Sequence, residues 1–291
     1  LYGLRPGFDK NHDCLVDLTL TKFLFKAFLR ACVILGRENA EQTLIGDVKE
    51  LLAYFPDYPT ADSARGKVFV SVPGENPEIV QNTPNAGMTV FPGEDHGLHS
   101  PPDQFAVAAN SIRNHRNEGG NEIVFLNLQA ARLGLLDLEK FKRQVEYCLL
   151  PNGTCADKCL QAHGRYSDDT DFAFMAPMGI WFENFALPVV INECLLQSYN
   201  GTLRLFPNWP REKQAEFRTL RAVGAFLVSA AIADGRVQWM EVFSEKGSRL
   251  QLINPWSGGA KVRRQTGEQV VRGEWIEMDT LPNETIEFAP V

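Results

Sequence analysis

Two stretches of this chain gather side chains that could bind a ligand or move a proton. Pro92-Gly93-Glu94-Asp95-His96-Gly97-Leu98-His99 places two acids and two histidines close together. Metal ligation asks for donors held on one face, as a helix holds them, and a glycine-broken loop does not supply that. Hydrogen bonding to a ligand suits Glu94 or His96 better. Further on, Asp168, Asp169 and Asp171 crowd together, and their mutual repulsion would raise one carboxyl pKa if they converged in a cleft. Acidic runs are more often solvated loop faces, but Phe172 and Phe174 lead one to expect the chain to turn inward beside Asp171. Serine or cysteine nucleophiles have no support, because there is no Gly-x-Ser-x-Gly elbow; phosphate-loop and dinucleotide fingerprints are missing too.

Helices and a long irregular segment carry these stretches. Leu20, Leu24, Ala27, Phe28, Ala31 and Leu35 keep an apolar stripe on one helical face from Asp17 to a stop at Gly36. A second helix follows, with Asn39 and Gln42 spaced as a capping pair and Leu44, Val48, Leu51, Leu52 and Phe55 recurring until Pro56. Two helices so closely joined should pack antiparallel. Between Pro56 and Pro102 the helical period disappears, apart from a short strand at Lys67–Val72, and so long a connection reads as a functional loop.

Ser100-Pro-Pro-Asp103 starts another helix, with Phe105, Ala108, Ala109 and Ile112 on its buried stripe. Further helices are expected over 121–133, from Asp137 toward Pro151, and over 188–199. After Gly201 the period falls from about 3.6 to 2. Residues 202–206, 225–232, 236–243 and 249–253 read as strands, with Asp234-Gly235 as a two-residue hairpin turn. The expected organisation is a helical domain over 1–200 and an antiparallel β-sandwich over 201–291.

Bulk properties narrow the partners. A formal charge of -7 over 291 residues repels a phosphate backbone, so nucleic acid is not expected. No apolar run reaches the ~20 residues that span a bilayer. The chain opens at Leu1 without a methionine or an export signal, so any such signal has been removed or lies outside this piece. Its six cysteines match no metal-finger spacing; Cys155 and Cys159 either close a small loop in an oxidising compartment or are ordinary thiols.

Asn192-Glu193-Cys-Leu-Leu-Gln-Ser198, Asn200-Gly201 and Leu203-Arg-Leu-Phe-Pro207 resemble the end of the catalytic domain in glycoside hydrolase family 95. Val16-Asp17 with Leu24-Phe25, Tyr58-Pro59, Val90-Phe91-Pro92-Gly93 and Asp234-Gly235 resemble further pieces of that family in the same order. The resemblance implies part of an (α/α)6 toroid of helical hairpins followed by a β-sandwich. It also implies inverting removal of a terminal sugar, fucose-like or galactose-like, from an oligosaccharide or polysaccharide, with no metal and no cofactor. A missing N-terminal segment or a partner chain would complete the toroid and supply the proton donor. The setting would be extracellular or periplasmic.

The family's aspartate precedes an Asn-Phe pair that matches Asn184-Phe185, and a one-residue slip puts Glu183 there. The expected catalytic residues are Glu183, from this match, and Asp171, from the acidic run before it. A charge at a helix start that meets free amide groups is the competing account of Glu183. The expected substrate-binding residues are Asn184, Trp181, Asn85, Glu94 and His96. Trp181, Phe182 and Phe91 could stack on a pyranose face, with core burial as the alternative. The family's histidine-rich approach to the 90–93 turn is replaced here by Asn82–Met88. Two rivals stand beside the hydrolase: a catalytically decayed glycan-binding protein, and a polysaccharide lyase for which Arg165 and Tyr166 form the one close pair.

Overall fold

The computed structural model describes residues 11–81, 83–117, 123–153, 155 and 181–291, and of 117 and 181–185 the backbone alone. The fold is mixed α+β. The chain divides into two compact units, Leu1–Ala186 and Leu187–Val291.

The first unit opens with α1 (Leu15–Ile34) and α2 (Gln42–Ala53), followed by the hairpin of β1 (Thr60–Ser63) and β2 (Gly66–Phe69). After β3 (Val80–Gln81) come a single 3-10 turn at Asn85–Gly87 and α3 (Pro102–Asn114), then β4 (Arg116–Asn117), which runs parallel to β3. α4 (Phe125–Arg132) and α5 (Leu138–Cys148) complete the described helices that lie wholly in this unit. Pro102 opens α3 where a missing amide hydrogen costs nothing, and Asp137 caps α5 by accepting from the Lys140 amide at 2.9 Å. Leu15, Phe69, Val90, Ala108 and Leu133 form a shared core that joins α1, β2, α3 and the end of α4. Ser111 reinforces it by accepting from the Phe69 amide and donating to the Val107 carbonyl, both at 2.8 Å.

The apolar stripe of α1 faces largely outward. Leu24 is 63% exposed and Leu35 71%, while Leu15, Thr19 and Cys32 are the buried positions of that helix. Leu44, Leu51 and Tyr54 extend the open apolar surface onto α2, with Tyr54 83% exposed. Periodicity reports that a face is apolar, not that anything in the same unit covers it. The 56–102 segment also carries more pairing than the sequence announces, since β1 pairs with β2 inside it and β3 pairs with β4 beyond it.

α6 (Trp181–Leu195) crosses the division between the units, with Pro188 inside it rather than at its start. It gives way at β5 (Leu196–Gln197), four residues before the expected end at Tyr199, and β5 pairs with β6 (Arg204–Leu205). Asn200 and Gly201, at φ 55° and 73°, turn the chain between those two strands in the left-handed region that favours these residue types.

The second unit is an antiparallel six-stranded sheet. Its strands are β7 (Ala215–Ala222), β8 (Phe226–Ala233), β9 (Arg236–Ser244), β11 (Ala260–Arg264), β12 (Gly267–Val271) and β14 (Glu284–Pro290), in the spatial order β12-β11-β14-β9-β8-β7. β10 (Arg249–Ile253) and β13 (Trp275–Asp279) form a separate antiparallel pair. Leu250, Leu252 and Ile276 of that pair share one core with Val228, Met240, Val242, Val262 and Phe288 of the larger sheet. Two sheets that bury alternate residues against each other make this unit sandwich-like. Asp234 and Gly235 take φ 51° and 71°, the turn that the β8–β9 hairpin requires. Gln238 is the extra residue of a bulge there, because Ala231 pairs with Trp239 and Ile232 with Val237.

Candidate functional site

The loop after β3 is tied to α1 and α4 through its polar atoms. Gln129, fully buried on α4, donates from Nε2 to the carbonyls of Pro84 and Phe91 at 3.2 and 3.1 Å. Gly87 lies so close that a Cβ there would meet Gln129 Oε1 at 2.0 Å. Arg132 donates to the Val90 carbonyl at 3.2 Å and lies 4.8 Å from the Phe91 ring centre. Its Nη1 is 3.7 Å from Glu94 Oε1, and Glu94 itself adopts φ 58°.

Asp95 is the electrostatic anchor of the loop. Its carboxylate, 7% exposed, meets Lys22 Nζ at 2.9 Å, accepts from Lys26, and accepts the Tyr58 hydroxyl. Burial alone would raise the Asp95 pKa, but the hydrogen bonds from Lys26, Tyr58 and Lys22 outweigh it and hold the group below the usual carboxylate range. Burial, together with the bond to Asp95, pushes the Tyr58 phenol well up. The cluster binds α1 to the loop with Asp95 ionised and Tyr58 neutral, which suits positioning rather than proton transfer.

The expected site residues fall in three groups. His96 is 8% exposed and packs between the rings of Tyr58 and Phe69, at 6.0 and 5.1 Å; burial pushes its pKa down to about 4, so it is neutral near pH 7. Asn85 is 2% exposed in the 3-10 turn. The loop thus brings Asn85, Glu94 and His96 around one packed seam with Gln129, Arg132 and Asp95. Trp181, Glu183 and Asn184 lie in the first turn of α6, and their side chains are outside the described residues, as is the whole of Asp171. Cys155 is buried and Cys159 is likewise undescribed.

An open cleft of about 780 Å³ lies elsewhere in the first unit, between the C-terminal end of α3, β4, the faces of α4 and α5, and the β1–β2 turn. Asn127 and Gln144 join its two helices: Asn127 Nδ2 donates to Gln144 Oε1 at 3.1 Å and to the Ile123 carbonyl at 2.7 Å. Asn114 donates to the Pro77 carbonyl at 2.8 Å, and Arg116 pairs with Glu78. Arg65, Arg113, His115 and Lys140 also line the cleft. Asp137, the remaining acid, is held below the usual carboxylate range by the backbone hydrogen bond from Lys140.

None of Asn85, Glu94 or His96 lines this cleft. The sequence does not announce it, because its residues come from five separated segments. The one local signal was Arg113-Asn-His-Arg116, a polar run directly after an apolar helical stripe. Among the described residues no group of three or more His, Cys, Asp or Glu side chains is placed to hold a metal ion, and no helix is long and apolar enough to cross a membrane. Neither a protein-family profile nor a curated protein sequence matches the chain.

Proposed function

We propose that the chain is part of a glycoside hydrolase that releases a terminal sugar, fucose-like or galactose-like, from a glycan, and that the α3–α4–α5 cleft receives the saccharide. The observation that carries this reading is the cleft lining. Amide, imidazole, guanidinium and ammonium groups from Asn114, His115, Asn127, Gln144, Arg113 and Lys140 converge on a space of about 780 Å³. Saccharide hydroxyls both donate and accept, so a mixed set of this kind can satisfy them, and the volume falls within the ordinary range for ligand sites.

Inverting hydrolysis needs an acid and a base about 6.5 to 9.5 Å apart. The family resemblance, carried chiefly by residues 192–207, points to Glu183 for that chemistry, and Asp171 is the candidate from the acidic run that precedes it. It also implies an (α/α)6 toroid of which this helical unit is one part. The open apolar surface of α1 and α2 supports that implication, because Leu24, Leu35 and Leu51 need a cover that a further N-terminal segment or a partner chain would supply. Action on an extracellular or periplasmic glycan belongs to the same proposal.

A second reading is a glycan-binding protein whose catalytic set has decayed. It is favoured by two departures from the resembled family: no aspartate stands at the ungapped position before Asn184-Phe185, and Asn82–Met88 replaces the histidine-rich approach to the 90–93 turn. Sugar-release assays on Glu183→Gln decide between them. The hydrolase loses turnover and keeps saccharide binding, whereas the decayed protein binds without turnover before the substitution is made. A chain that neither binds nor cleaves any oligosaccharide contradicts both.

A further inference from the structure

The cleft is electropositive in an acidic protein. Its lining carries Arg65, Arg113, Arg116 and Lys140 against Glu78 and Asp137, in a chain whose formal charge is -7. Of the four cations, only Arg116 is committed, to Glu78. Arg65, Arg113 and Lys140 make no ion pair with any described residue.

Helix electrostatics account for one of the three. Arg113 is in the last turn of α3, where the helix dipole favours a positive charge. Lys140 sits in the first turn of α5, where the same dipole disfavours one, and the nearby Asp137 carboxylate is already engaged as the cap. Arg65 lies in the two-residue turn between β1 and β2, so it reaches the cleft from a different element altogether. Three separated segments therefore bring uncommitted cations to one concavity, and a guanidinium pair is well shaped for an oxyanion.

We infer that the saccharide taken by this cleft carries an anionic group, a uronate carboxylate or a sulfate ester, held by Arg65, Arg113 and Lys140. The inference rests on the reading of the cleft as a saccharide site and narrows its ligand class. Neutral hydroxyls pair with Asn114, Asn127 and Gln144, and the charged substituent selects among glycans that offer the same hydroxyls. Because the three cations are exposed, their attraction is screened by salt and is modest for each pair.

Calorimetric titration of the whole chain with three trisaccharides tests this: one of uronates, its carboxyl-reduced neutral counterpart, and a sulfated analogue. The expected result is roughly tenfold tighter binding of one or both acidic ligands than of the neutral one, with the advantage shrinking as salt rises. Uronate preferred over sulfate assigns a carboxylate, and the reverse assigns a sulfate ester. The substitution Arg65→Ala, on an exposed side chain outside the set that meets the hydroxyls, should weaken the preference and leave neutral binding in place; Lys140→Glu should reverse it. Equal affinity for acidic and neutral ligands, unchanged in these variants, overturns the inference while the saccharide reading stands. No binding of any of the three overturns both.

Discussion

Asn127 on α4 donates to Gln144 on α5 at 3.1 Å, so the two helices that wall the cleft are held by a buried amide pair at its base. Truncating Asn127 to alanine leaves the Gln144 oxygen without its donor in a buried place. We expect about 1 to 2 kcal/mol of lost stability from denaturant midpoints. The double variant with Gln144→Leu should cost less than the sum of the single changes. Additive costs would show that the two amides do not act as a unit.

Acid sensitivity should trace to His96. Its pKa falls from 6.5 to about 4 in the folded chain, so the unfolded chain takes up the proton first as pH drops. Stability is then full above pH 6.5, declines by about 3 kcal/mol down to pH 4, and loses nothing further from this group below that. His96→Phe, which keeps a ring between Tyr58 and Phe69, should flatten that part of the curve. An unchanged slope between pH 6.5 and 4 would place the acid sensitivity elsewhere.

Asp95 contributes in a lower window. Its folded pKa is depressed, so its stabilisation is present above the unfolded value of about 3.9 and lost as pH falls through the folded value. At neutral pH, Asp95→Asn leaves Lys22 and Lys26 facing an uncharged amide and should cost about 2 kcal/mol. Because Asp95 joins α1 to the loop, hydrogen exchange in residues 15–26 should quicken in that variant. Exchange rates that stay at their original level would mean α1 is held without it.

Gly87→Ala tests the packed seam independently of charge. An added methyl group would stand 2.0 Å from Gln129 Oε1 and 2.8 Å from the Ile112 side chain, so Gln129 must leave its two carbonyl partners. We expect a loss of about 1 to 3 kcal/mol by thermal or denaturant unfolding. Gly36→Ala offers a contrast, since nothing lies within 4 Å of an added Cβ there and only the positive φ of 60° is strained.

Elements with local causes were legible in the sequence. Asp234-Gly235 supplies the two positive φ values of a tight hairpin, and β10 falls at Arg249–Ile253 as its alternation required. The start of α3 at Pro102 followed from the prolines expected in its first turn, although Pro101 and not Ser100 stands at the cap, and α5 begins at the expected Asp137. What depended on distant partners was not legible. Leu24 and Leu35 carry a sound helical period yet are exposed, because cover is a property of the surroundings. Arg65, Arg113, Asn127, Gln144 and Lys140 form one cleft only after β1–β2, α3, α4 and α5 have packed, and no short window contains them. His96 looked ligand-facing by residue type, but its neighbours Tyr58 and Phe69 come from other segments and enclose it.

Mapping amide chemical-shift changes on titration with an oligosaccharide locates the saccharide on the chain. Changes are expected to concentrate at Arg65, Arg113, Asn114, His115, Asn127, Lys140 and Gln144 and to saturate together with a single affinity. Saturable changes confined to the outer face of the β-sheet around Trp239, or none in the cleft at saturating saccharide, would contradict a saccharide site there.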